Sequence, residues 1–330
     1  MNQRNLSLDL LRIIAMMLVL VVHTIGIIGV PTAESFRNDL IGSISLSCFY
    51  FISSGCVNIF ILLSGWFGLK FSTTKLANLF FQVIFWNIIA AMVYFTLSSD
   101  WCGIDILGIF SLNGSLWFFL SYLCLYILAP VLNSFIENSS KNEIKRVILF
   151  FFAFQTIWCW IFESASFFMQ GYSPLSFIGL YLLARYVRIY PSCFSALQCK
   201  YDLLIYVSLV VFSVFVLTIA ALNGVFISRM FSYISPFLIL SCLYLLLFFS
   251  KIEVYRGKNL ILFLAPSAFA VYVFHANSLI YPYFVKVVRY LYTNSGILLV
   301  LCFLFALFIA VAVVDRTRIF VWNKIINKIH

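Results

Sequence analysis

Apolar residues fill this chain in long runs separated by short polar breaks. A run of about 20 mostly apolar residues is long enough to cross the hydrocarbon core of a bilayer as an α-helix. Ten such runs lie between the breaks, at approximately 8–29, 43–65, 76–97, 115–135, 147–165, 174–191, 203–222, 231–250, 260–283 and 295–314. Arg185 and Arg188 interrupt the second half of the sixth. The pattern predicts an all-α fold, a polytopic membrane bundle of about ten transmembrane helices. It would fill 1–330 as a single membrane-embedded domain with no appended soluble domain. The longest break on the side away from the N-terminus is about 98–114, and no repeat or Gly/Ser-rich linker is visible.

Composition agrees with that reading. The chain is 64% hydrophobic and 10% charged, whereas soluble proteins average roughly 45–50% apolar and 25% charged residues. The 21 Lys and Arg against 11 Asp and Glu form no basic run of the kind that binds nucleic acid. Their placement sets orientation instead. With the N-terminus in the cytoplasm, 16 basic residues fall on that side and 4 on the other, with Arg12 inside the first span. Both termini are therefore expected in the cytoplasm. The first apolar run exceeds a signal-peptide core and further spans follow it, which predicts a retained helix. Nine cysteines form no CxxC pair and fall mostly in apolar stretches, so neither a metal site nor a disulfide framework is expected.

Ionisable residues inside spans are rare, and they default to functional candidates. The first span holds two, Arg12 and His23, in LDLLRIIAMMLVLVVHT. Eleven residues at about 100° each come within about 20° of three full turns, so both point to one side of the helix, about 16 Å apart along the axis. Two readings stand open for each. Arg12 either snorkels to the headgroups beside Asp9, or binds an anion from the cytoplasmic side. His23 is either a neutral helix-contact histidine or a proton acceptor. His275 toward the outer end of the ninth span carries the same pair of readings. Lys75 is either a topology charge or a phosphate contact, and Trp117 either an interfacial aromatic or the wall of a site. Glu163 and Asp105 are either solvated loop acids or groups facing an acceptor. Several enzyme signatures are absent, including GxSxG, HExxH, a P-loop and GxGxxG.

The stretch LDLLRIIAMMLVLVVHT resembles the first-span signature of acyltransferase family three, in which a basic residue precedes a histidine by ten arbitrary residues and an Asp-Leu-Leu-Arg-like opening leads in. NIFILLSGWFGLKFSTTKL, GSLWFFLSYLCLYILAPVLN, FIGLYLLARYVRIYP and AVYVFHANSLI are similar to later segments of that family, in its order, across almost all 330 residues. The resemblance implies transfer of an acyl group from a cytoplasmic donor, usually acetyl-CoA, to a hydroxyl of a glycan. It implies a catalytic role for His23 and donor binding by Arg12, with Lys75 the basic residue nearest the third span, where many members carry an Arg-x-x-Arg-like pair. His275, Trp117 and Glu163 are the candidates for the acceptor or the wall of the site.

The expected activity is thus O-acetylation, or transfer of another short acyl group, onto a surface or envelope polysaccharide or lipid-linked saccharide in the bacterial inner membrane. No bound cofactor is expected, acetyl-CoA being a substrate. The expected partners are acyl-CoA, the saccharide acceptor and membrane lipids, with no nucleic acid. A transporter or flippase is the first alternative, although inverted-repeat symmetry is not evident. A polysaccharide polymerase is the second, although the longest outer loop carries no arginine.

Overall fold

A computed structural model describes residues 5–99, 103, 106–111, 114, 116–192 and 195–329, and the expected candidate Asp105 lies outside them. The described residues hold no strand. The helices are α1 (Leu6–Ile28), α2 (Ala33–Asn38), α3 (Leu40–Ser54), α4 (Cys56–Phe67), α5 (Thr73–Ser98), α6 (Ile106–Ile109), α7 (Trp117–Asn138) and α8 (Lys141–Phe154). They continue with α9 (Pro174–Ile189), α10 (Cys199–Leu222), α11 (Pro236–Lys251), α12 (Lys258–Leu264), α13 (Ala268–His275), α14 (Tyr281–Ser295) and α15 (Ile297–Ile329). Local chemistry sets the starts. The Asn5 side chain caps α1 by accepting from the Leu8 amide at 3.0 Å. Ser140 and Glu143 form a reciprocal capping box on α8, and Pro174 follows the Ser173 cap of α9.

Nine segments among the described residues are long and apolar enough to cross a membrane. Each falls on one of the expected runs. The exception is the sixth run, where α9 is 16 residues, about 24 Å long, against a hydrocarbon core of about 30 Å. Its length alone therefore keeps α9 from being one of the nine. The second span is built from α3 and α4 around a break at Gly55, and α8 continues through a seven-residue π-helical stretch, Gln155–Ile161. Leucine, valine and phenylalanine side chains on α10 stand exposed, among them Leu204, Val211 and Phe215. An outward face of that composition matches lipid rather than water.

The helices group into two compact units. The first comprises Met1–Lys70 and Ser121–Arg256. Within it α4 packs against α1, α9 and α11, and α10 against α3 and α11. The Asn58 side-chain amide, wholly buried, donates to the Tyr233 carbonyl at 3.0 Å. Lys251 lies 2.5 Å from the buried Asp202 carboxylate and 2.9 Å from the Leu197 carbonyl, tying the end of α11 to the start of α10. Gly65 makes the α4–α9 contact possible. A β-carbon there would sit 2.6 Å from the Tyr181 carbonyl oxygen and 2.8 Å from the Ala184 β-carbon. Gly65→Val is therefore expected to lower stability by about 1–3 kcal/mol through overpacking. A thermal-unfolding curve of the detergent-solubilised variant measures this, and an unchanged midpoint would show that the two helices can part freely.

The second unit comprises Phe71–Leu120 and Gly257–His330, with α13 packed on α5 and α15. Its core holds an ion pair. Asp315 is wholly buried, 2.7 Å from Arg318 Nε, and accepts from the Trp86 indole at 2.9 Å and the Ser267 hydroxyl at 2.9 Å. Arg318 also donates to Asn78 Oδ1 at 3.3 Å. A second buried node is Asn87, whose amide donates to Gly108 O, Ile109 O and Ser111 Oγ and whose oxygen accepts from Asn277 at 3.0 Å. This node fixes α6 and the chain after α13. The α14 helix, not expected from the apolar runs, buries Phe284 and Val288 while Arg289 and Tyr290 stay exposed, the pattern of a helix lying in a membrane interface.

Candidate functional site

The α1 helix runs unbroken from Leu6 to Ile28, so the distance between Arg12 and His23 is set by backbone hydrogen bonds alone. Met16 and Val19 lie between them on the same face and are buried, at 0% and 7% exposure. That face therefore points into the first unit and not toward lipid. Arg12 and His23 nevertheless keep accessible surface, each half-buried.

Arg12 Nη1 lies 2.7 Å from Asp9 Oδ1, and Asp9 is itself nearly buried. This contact holds the guanidinium in place while using one of its two terminal nitrogens, and the remaining N–H groups stay able to donate. In the same unit, Ser64 on α4 donates to the Tyr122 hydroxyl at 3.5 Å.

The turn that follows α4 is held by side chains from α7 and α9. The Leu69 amide donates to the Tyr181 hydroxyl at 3.0 Å, and that hydroxyl donates to Asn133 Oδ1 at 2.7 Å. Asn133 returns a bond to the Leu69 carbonyl at 2.8 Å, and the Tyr126 hydroxyl donates to the Lys70 carbonyl at 3.2 Å. Sequence reasoning missed Tyr122, Asn133 and Tyr181, because a neutral hydrogen-bonding residue in a span reads as ordinary helix contact. Arg188 lies over the Trp66 ring, 4.8 Å from its centroid.

The remaining candidates are dispersed. Glu163, in the same unit as Arg12 and His23, is exposed and meets Arg229 at 3.5 Å, and Arg229 also donates to the Ile161 carbonyl at 2.6 Å. Lys75, Trp117 and His275 belong to the second unit. Lys75 is exposed in the first turn of α5. Trp117, half-buried, opens α7 and meets Phe118 edge to face. His275 has no accessible surface; its Nδ1 lies 2.6 Å from the Val271 carbonyl and its ring meets Phe284 edge to face. Among the described residues no group of three or more His, Cys, Asp or Glu side chains is placed to hold a metal ion.

The described residues thus form a multi-pass helical bundle whose first helix carries a basic residue and a histidine on its inward face. The acyltransferase family 3 model, described as an acyltransferase domain, matches residues 5–315, and the chain belongs to that family. No curated protein and no solved structure matches it. The protein is a multi-pass membrane acyltransferase.

Proposed function

We propose that this protein transfers a short acyl group, acetyl above all, from cytoplasmic acyl-CoA to a hydroxyl of a lipid-linked saccharide or nascent envelope polysaccharide in the bacterial inner membrane. The observation that carries this reading is the half-buried Arg12 and His23 on the inward face of α1. With both termini in the cytoplasm, Arg12 stands nearer that side and His23 deeper. The separation of about 16 Å suits a ligand with anionic phosphates at one end and a thioester at the end of an extended arm.

On this reading the Arg12 guanidinium donates to donor phosphate oxygens, fixing the donor's register. The neutral His23 imidazole takes the proton of the acceptor hydroxyl as its oxygen attacks the thioester carbonyl. The tetrahedral intermediate then collapses, the carbon–sulfur bond breaks, and the imidazolium returns the proton to the departing thiolate. The products are one ester and one free thiol, and His23 ends as it began.

The test is a reconstituted assay in lipid nanodiscs with acetyl-CoA labelled in the acetyl group. Transfer of label to a saccharide acceptor is expected, with one thiol released per acetyl transferred. Thiol release that ignores the acceptor, or label that stays on the donor with every saccharide offered, would overturn the proposal.

A further inference from the structure

Arg185 is the least expected residue in the first unit. It sits on α9, partly buried, and its Nε is shielded from solvent with no hydrogen-bond partner among the described residues. Neither Arg185 nor Arg188 forms an ion pair among the described residues, whereas Arg12, Arg229 and Lys251 in the same unit each have a carboxylate. Burying an arginine donor without a partner is unfavourable, so a site that keeps one should have a use for it.

The surroundings are built around this side chain. Gly68 adopts φ +75°, and a β-carbon at that position would lie 2.9 Å from Arg185 Nη1 and 3.1 Å from its Cζ. Glycine thus lets the chain take a left-handed turn and lets the guanidinium lie against the backbone. The same turn is pinned by Tyr181 and Asn133 through Leu69. Arg188 follows one turn later on α9 and is exposed, with its guanidinium over Trp66. Two guanidinium groups from α9 thus lie against the end of α4 and the turn after it, and among the described residues neither is paired with a carboxylate.

We propose that Arg185 and Arg188 form a phosphate-binding site that grips the nucleotide end of the acyl donor. This rests on the acyl-CoA reading above and adds two residues to it. A guanidinium is suited to the task because it presents several coplanar donors to phosphate oxygens. Lys75 and Lys70 become dispensable as the main phosphate contacts on this view. The shared chemistry is a phosphate ester, which a lipid headgroup also offers, so the test separates the two sources.

The experiment uses the full-length protein in nanodiscs of neutral phosphatidylcholine and, separately, of lipid with an anionic phosphatidylglycerol fraction. Donor KM and kcat are measured with acetyl-CoA and with acetyl-pantetheine, which carries the thioester but no phosphate. Arg185→Ala and Arg188→Ala are each expected to raise the KM for acetyl-CoA by about ten- to a hundredfold, with kcat little changed. Acetyl-pantetheine should show no such difference between wild type and variants, and Arg185→Lys should recover part of the loss. The exposed Arg188 keeps the proposal testable if Arg185→Ala fails to fold. Equal loss on both donors would overturn it, as would an effect confined to anionic nanodiscs, which would assign the arginines to headgroups. If wild type binds and uses acetyl-CoA while both variants match it, the arginine site alone is wrong. If wild type neither binds nor uses any acyl-CoA, the donor reading itself falls and this site with it.

Discussion

His23→Ala is expected to abolish acyl transfer while leaving the protein in the membrane at its normal level. Removing a general base lowers rate by typically 10²- to 10⁴-fold, enough to take saccharide acetylation below detection. Insertion should not suffer, because a span with one polar group fewer is cheaper to place in lipid, and Met16, Val19 and Leu20 keep the inward face of α1 packed. His23→Gln is the discriminating partner. Glutamine keeps hydrogen bonding but cannot take up and release a proton near neutral pH, so it should be nearly as inactive as alanine. A structural histidine would give the reverse, with glutamine close to wild type and alanine poorly accumulated. Ester-linked acetyl in purified polysaccharide, measured beside the amount of membrane protein, separates these outcomes, and substantial activity in His23→Gln would remove His23 from the chemistry.

The second large effect falls on stability. Asp315→Ala leaves the Arg318 guanidinium, the Trp86 indole and the Ser267 hydroxyl facing each other without their common acceptor, in a place where Asp315 has 0% and Arg318 has 4% exposure. Deleting one partner of a buried ion pair costs about 3–5 kcal/mol, because the other charge stays buried without compensation. The expected readout is a sharp fall in accumulated protein and a thermal midpoint many degrees lower. Replacing both Asp315 and Arg318 by leucine should recover much of that loss, since it is the orphaned charge and not the missing pair that is unfavourable. An Asp315→Ala protein as stable as wild type would show that water reaches the pair. Activity per folded molecule should change far less than in the His23 variants.

These two sites differ in how they could be read from the chain. Arg12 and His23 stand inside an apolar run of LDLLRIIAMMLVLVVHT, where any ionisable residue is conspicuous, and helical geometry alone places them on one face. That the face turns inward needed the burial of Met16 and Val19. Asp315 and Arg318 come at the end of an apolar run, where charges ordinarily mark the membrane boundary, and only contacts with Trp86 and Ser267 show that they are buried. Nine spans were legible because apolar length is a composition property. The short α9 was expected as a tenth because its first half is apolar, and α14 was missed because Lys286 and Arg289 break its pattern into what looks like a loop. Arg185 was visible only as an interruption, since its meaning comes from Gly68, far away in sequence.

The unbroken α1 helix also limits how this protein can evolve. Inserting or deleting one residue between Arg12 and His23 would turn one side chain about 100° around the axis and shift it about 1.5 Å along it, carrying it off the shared face. Substitutions in that stretch can accumulate as long as they remain apolar and of suitable size. A change in its length cannot be absorbed by drift at neighbouring positions, because no loop lies between the two residues to take up the slack. Among relatives, the interval between these two residues should therefore hold constant while the sequence inside it diverges.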